Sequence, residues 1–316
     1  MHSFNNNCYC SCSRWPFKHF GELIIEGSKL KIEAHIINAF VDGNIGGNPA
    51  GVILNADDLS NSQQLEIASI IGLSETAFVS SSTVADFKLD FFTPTKQIAH
   101  CGHATIATFV YLRELGLITK SRTSKETIDG NRDIYFDGDM AFMEQMAPSY
   151  KEIDHCIDGI CSSLGISIDD LPNNLNPFIV NTGNSFLIVP LKDEKAVLGA
   201  HADLDEIQRI SEEFDLIGYY IFSQQTKKPG RDAATRMFAP RYGINEESAT
   251  GMAAGPLACY LYEKIGIKKD VFLIEQGHLM KSPSPSVIKV HLNFEDGKIS
   301  GLIAGGKAKV KKSMII

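Results

Sequence analysis

Two stretches of this chain lie on one another without a gap: "CGHATIATFVYLRE", Cys101 to Glu114, and "TGMAAGPLACYLYE", Thr250 to Glu263. Each places a Gly second and ends on Tyr-Leu-x-Glu. The segments between, "ATIATFVYL" and "AAGPLACYL", are apolar on nearly every side, which predicts helices enclosed by other structure rather than lying on a surface. Gly255-Pro256 interrupts the second helix. Pro is tolerated there if it falls in the first turns, where its missing N–H is not needed.

Working outward, the match extends to the whole chain from Lys31. "GNPAGVI" (Gly47 to Ile53) and "GNSFLIV" (Gly183 to Val189) are Gly-Asn turns feeding apolar strands. A helix follows in each half. In "SNSQQLEIASII" Leu65, Ala68 and Ile71 share a side, with Ser60, Asn61 or Ser62 as the cap; its counterpart is "DLDEIQRISEEF". Strands "LSETAFVS" and "LIGYYIFS" come next, then "FTP" at Phe92 and "FAP" at Phe238. Each half closes on a hairpin signal, "FDGD" at Phe136 and "FEDGK" at Phe294. Elements of these kinds in the same order point to duplication. The expected fold is α+β: two pseudo-symmetric domains, each a curved, mostly antiparallel sheet around a central apolar helix. The domains expected are 31–148 and 149–316, with the boundary near Pro148. The final strand, "ISGLIAGGKAKV", either closes the second sheet or crosses back to the first.

The bulk properties restrict function. The 316 residues are 44% hydrophobic and 22% charged, as in a globular protein, with a net charge of −8. An acidic chain is not built for nucleic acid or an anionic membrane as its main partner. No apolar run approaches the roughly 20 residues a membrane span needs. The N-terminus lacks the basic-then-apolar order of a secretory signal, and seven Cys without framework spacing read as reduced thiols, so the expected location is cytoplasmic. Residues 1–30, with Cys8, Cys10 and Cys12 as C-x-C-x-C, read as a poorly ordered extension rather than a zinc site.

Two facing domains leave one cleft. Gly102 and Gly251 each sit where a loop turns into a core helix, and the N–H groups there, at the positive end of the helix dipole, suit a carboxylate. Two such ends would hold an anionic substrate without Lys or Arg.

"GNPAGV", "SETAFV", "FFTP…CGHAT" and "RMFAP…GINEESATG" together resemble the phenazine-biosynthesis isomerase (PhzF-type) family, which has the diaminopimelate epimerase fold; the match spans about residues 32 to 310. The resemblance implies a cofactor-independent isomerase, usually a homodimer. The family's founding reaction is a double-bond shift in dihydro-3-hydroxyanthranilate, in which a Glu moves one proton between two carbons. By this resemblance the proton-moving Glu is Glu75, the family His is His103, and the acid before "ATG" is Glu247, where the founding enzyme has Asp. Met252 replaces a Ser, and Gln97 replaces the acid of "FTPxxE".

The residues support these roles unequally. Glu75 lies among Leu73, Ala77, Phe78 and Val79, and its counterpart in the second half is Gly218, so packing does not explain it. His103 would hydrogen-bond the reacting group. Glu247 also fits a plain interaction with the helix dipole, and Glu246 is the neighbour it could be confused with. Asn48, Ser74, Gly183 and Thr250 are candidate substrate contacts. Cys101 is a candidate reactive thiol, but its counterpart is Thr250, too weakly acidic to be the second group of a two-thiol racemase. No metal is expected, because His100, Cys101 and His103 on a turning backbone point in different directions. The expected activity is an isomerase moving a proton on a small carboxylate-bearing metabolite. The alternatives are a racemase or epimerase of the same fold and a non-catalytic metabolite-binding paralogue.

Overall fold

A computed structural model describes residues 31–316, so the Cys8–Cys12 stretch and its extension lie outside the described residues. The first half runs β1 (Glu33–Ala39), β2 (Asn48–Ile53), α1 (Asn61–Ile71), β3 (Thr76–Ser80), β4 (Phe87–Phe92), β5 (Gln97–Ile98), α2 (Gly102–Glu114), β6 (Arg122–Thr127), β7 (Gly130–Asp137) and β8 (Met140–Met146). After β9 (Ser149–Glu152) and α3 (Ile157–Ser163), the order recurs. It runs β10 (Phe178–Asn181), β11 (Ser185–Pro190), α4 (Glu194–Gly199), α5 (Leu204–Glu213), β12 (Gly218–Ser223), β13 (Ala233–Ala239), β14 (Ile244–Glu247), α6 (Gly251–Tyr260), β15 (Val271–Gln276), β16 (Ser286–Glu295) and β17 (Lys298–Gly306). The chain ends on β18 (Ala308–Ile315).

The strand pairings repeat along with the order. β2 and β3 are parallel, as are β11 and β12; β4 and β6 are parallel, as are β13 and β15. The other ladders are antiparallel. This is the two-lobed, mostly antiparallel α+β fold expected from the sequence. The lobes also share strands. β18 crosses back to pair with β1, and β8 and β17 pair directly, while β9 joins β10 within the second half. The stretch expected as one final strand, Ile299 to Val310, is divided between two: β17 pairs with β16 of the second half and β8 of the first, and β18 returns to β1.

Local chemistry explains the element ends. Ser60 and Gln63 form a reciprocal capping box on α1, and Gly72 closes that helix in the left-handed region at φ +67°. The buried face of α1 is Gln64, Ile67 and Ala68, with Leu65 and Ile71 only half-buried, so it is turned slightly from the expected one. Asp203 caps α5 through the N–H of Glu206. Asp296 (φ +50°) and Gly297 (φ +76°) turn β16 into β17 with the two left-handed residues of a tight hairpin.

One continuous core encloses both central helices. His103 to Val110 and Leu112 are buried on α2, and Ala253 to Tyr260 on α6. Each large apolar side chain there contributes about 1.5–3 kcal/mol, so every face of both helices favours enclosure. Pro256 is the sixth residue of α6, within its first two turns but past the positions whose N–H groups lack an intrahelical partner. The neighbouring Gly255 leaves room for Gln145, whose Oε1 lies 2.2 Å from where a Cβ would stand. Across the seam, the buried Asp42 carboxylate of the first half meets Arg231 at 2.9 Å and Lys228 at 2.7 Å from the second.

Candidate active site

The starts of α2 and α6 meet at this seam. A Cβ on Gly102 would stand 3.8 Å from Cγ of Met252. Cys101 and Thr250 are the equivalent N-cap residues, and neither uses its side chain to cap its helix. The ends of Gly102 and Gly251 therefore lie side by side, as their sequence positions predict.

His103, in the first turn of α2, is the centre of a buried cluster. Its Nε2 lies 3.3 Å from Glu75 Oε2, and its Nδ1 lies 3.4 Å from Glu247 Oε1 and 3.6 Å from Cys101 Sγ. Glu75 belongs to the first half and Glu247 to the second, so two carboxylates from opposite lobes flank one imidazole. Glu75 is 9% exposed and His103 5%. The facing atoms Glu75 Oε2 and His103 Nε2 are buried without a well-aligned hydrogen bond to any described group. Their distance is that of an ion pair, but their alignment leaves both able to serve a third atom.

Glu247 is held far more tightly. Its Oε1 accepts from Asn48 Nδ2 at 2.9 Å, and its Oε2 accepts from Thr250 Oγ1 at 2.5 Å. Asn48 gives a second hydrogen bond, to the Ala249 carbonyl at 3.0 Å, so its amino group is committed to positioning this turn. Along β14 successive side chains alternate faces. Glu246 therefore points the other way, into a two-pronged pair with Arg236 at 2.7 and 3.1 Å. That separates the two neighbouring acids.

Electrostatics follow from the packing. Burial alone would lower the His103 pKa, but Cys101, Glu247 and Glu75 together outweigh it and hold it well above the ordinary value. Burial would raise the Glu247 pKa, yet His103, Thr250 and Asn48 bring it below its ordinary value. Burial pushes the Cys101 thiol up, against the opposing pull of His103 beside it.

The remaining candidates sit around this cluster. Gly183, at φ +111°, turns β10 into β11, and the next residue, Asn184, reaches Met252 Sδ at 3.6 Å. Ser74 is exposed in the bend ahead of Glu75, outside the bonded cluster. Gln97 bonds Asp90 at 3.2 Å. His100 faces away from His103, into Lys125 at 3.2 Å and the Phe91 ring; burial first, then Lys125, drives its pKa down to about 2. The donors that do converge are Glu75, Cys101 and His103, with one atom of each within 4.8 Å of the others, a spacing near that of a cation site.

Gly218 explains why the acid occurs once. At this counterpart of Glu75 a Cβ would stand 2.2 Å from the Phe238 carbonyl oxygen, so no side chain fits. Two supporting residues carry no sequence signal of function. Lys125 on β6 is fully buried and donates to Thr105 Oγ1 at 2.7 Å, and Thr105 in turn donates to the Cys101 carbonyl at 2.6 Å. Gln276 ends β15 beneath Thr250. Polar residues at inward strand positions are their only mark, and hydropathy alternation does not reveal it.

Known proteins share both sequence and fold with this chain. The uncharacterized isomerase YddE of Escherichia coli (strain K12) is 33% identical over 296 residues, covering 89% of this chain and 97% of its own. Trans-2,3-dihydro-3-hydroxyanthranilate isomerase of Pseudomonas chlororaphis is 32% identical over 233 residues, covering 72% and 78%. A crystal structure of the Bacillus anthracis phenazine biosynthesis protein, PhzF family, superposes with a TM-score of 0.83 at 26% identity, over 91% of this chain and 99% of that one. The family model for phenazine biosynthesis-like proteins, PhzC-PhzF, matches residues 37–312. The chain belongs to the phenazine biosynthesis-like PhzC-PhzF family.

Proposed function

We propose that this protein is an isomerase that shifts a double bond in a small, unsaturated carboxylate by moving one proton between two of its carbons. The observation that carries this reading is Glu75: a buried acid, present in one lobe only, with an unpartnered oxygen 3.3 Å from His103 at the meeting point of two helix starts. Glu75 takes the proton from carbon, and the C–H electron pair enters the conjugated system. The charge that develops is spread towards the substrate carboxylate, held at the N-termini beginning at Gly102 and Gly251. Glu75 then returns the proton to the second carbon, so the reaction is redox-neutral and needs no cofactor. His103, held as imidazolium by Glu247, anchors the substrate and steadies Glu75.

A two-thiol racemisation lacks its second group in this cluster, since Thr250 stands opposite Cys101 and gives its hydroxyl proton to Glu247. The substrate of the Pseudomonas relative is the first compound to try, followed by other small unsaturated carboxylates. Incubation in D2O, followed by proton NMR, should show turnover, with deuterium at the receiving carbon to the extent that Glu75 exchanges its proton with solvent before returning it. Binding without turnover or exchange would mark a metabolite-binding paralogue. Exchange at a stereocentre with loss of optical rotation would mark an epimerase.

A further inference from the structure

Beneath Glu247 lies a side chain that the proton transfer does not touch. Gln276 is 1% exposed at the end of β15, and both ends of its carboxamide are occupied. Its Oε1 accepts from the Thr250 backbone N–H at 2.9 Å and from the Tyr220 hydroxyl at 2.9 Å. Its Nε2 donates to the Glu247 carbonyl at 2.7 Å and to Thr250 Oγ1 at 3.1 Å. The orientation is forced: the flipped amide would set an N–H against the Thr250 N–H and an oxygen against the Glu247 carbonyl.

These bonds have a directional consequence. Because Gln276 donates to Thr250 Oγ1, the Thr250 hydroxyl proton is free to point at Glu247 Oε2, its partner at 2.5 Å. One amide thus ties the main chain on both sides of Ser248 and Ala249 and sets the direction of the hydroxyl that holds the carboxylate. No other common side chain offers an acceptor and a two-hydrogen donor at this spacing.

We propose that Gln276 is a positioning residue for the reaction: it clamps the turn from Glu247 to Thr250, so that the Glu247 carboxylate meets His103 Nδ1. This rests on the function proposed above for its kinetic part only. Its structural part concerns the His103–Glu247 pair, which can be read without a substrate.

The test pairs Gln276→Leu with Gln276→Glu in the full-length protein. Gln276→Leu releases the turn, and displacement of a catalytic group by about 1 Å costs roughly 100-fold in rate. The expected result is kcat lower by about that factor with KM changed less than threefold. In an NMR titration of the His103 ring, its pKa should fall towards the ordinary value. Gln276→Glu, while the new carboxyl is protonated, can still donate to the Glu247 carbonyl and loses only the bond to Thr250 Oγ1, so it should stay closer to wild type than Gln276→Leu. It should lose kcat, with the His103 shift, once that carboxyl ionises. Wild-type His103 titration and kcat in folded Gln276→Leu would overturn the proposal. Where that variant does not fold, a pH profile of Gln276→Glu identical to wild type does the same. Loss of the isomerase reading would appear instead as unchanged turnover in Glu75→Gln, with the His103 titration still reporting on Gln276.

Discussion

Replacing Glu75 by Gln tests the centre of the site with the least disturbance to the fold. The two side chains have the same length, and Glu75 has no aligned hydrogen bond from Oε2 to lose. The change removes one negative charge from a cluster of two carboxylates around one imidazole. Glu247 remains 3.4 Å from His103 Nδ1 after the substitution, so a carboxylate still faces the imidazole. The thermal midpoint should therefore move by no more than a few degrees. Catalysis should not survive. A positioned general base contributes about 10²–10⁴-fold, which corresponds to about 3–5 kcal/mol of barrier. The assay is the initial rate of isomerisation, with solvent deuterium incorporation measured on the same samples by mass spectrometry. Both should fall together by at least 100-fold, because both depend on the same proton. A variant that is folded, within tenfold of wild type in rate, and still labels its product would refute proton transfer by Glu75.

Three further outcomes follow from neighbouring features. Gly218→Ala forces a Cβ to 2.2 Å from the Phe238 carbonyl, and such overpacking against main chain costs about 1–3 kcal/mol; an unshifted urea midpoint would contradict the tight approach of β12 and β13. Burial lowers the Lys125 pKa from 10.5 to about 7, so between these values the unfolded wild type holds a proton that the folded state lacks, and wild-type stability rises with pH by up to about 1.4 kcal/mol per pH unit. In urea titrations, the stability of Lys125→Met minus that of wild type should therefore decrease from pH 7 to pH 10.5, and a difference constant with pH would show that Lys125 titrates normally. Prolonged dialysis against a chelator should leave turnover unchanged, whereas loss of activity restored by a divalent cation would assign Glu75, Cys101 and His103 to a metal.

The fold was legible because duplication leaves the same punctuation twice. The aligned helices at Cys101 and Thr250, the Gly-Asn turns at Gly47 and Gly183 and the hairpins at Phe136 and Phe294 all recur in structure at equivalent places. Glu75 stood out for the opposite reason, as an acid whose counterpart is glycine. The supporting layer was hidden. On β6 the inward residues are Thr123, Lys125 and Thr127, a polar set that hydropathy assigns to solvent. Gln276 follows an apolar run as though ending it. What makes each of them internal is a hydrogen-bond partner on another element, Thr105 or Thr250, and such pairings are set by tertiary approach rather than local pattern. Pro256 leaves α6 unbroken for a related reason: a helix enclosed on all sides is held by packing even where one internal hydrogen bond is missing.

The crossing of β18 has a bearing on how such a molecule could be divided. Cut near Pro148, the first fragment would lack the β18 edge that its sheet requires, and the second would carry that strand without its partner β1. Neither piece would be a miniature of the whole; mixed together, they could regain the native arrangement only by complementation, with β18 returning to β1 and β17 to β8. A single half-length polypeptide meeting a copy of itself would face the same demand. The two-fold resemblance within the chain is thus the geometry of an entwined pair, written into one continuous backbone.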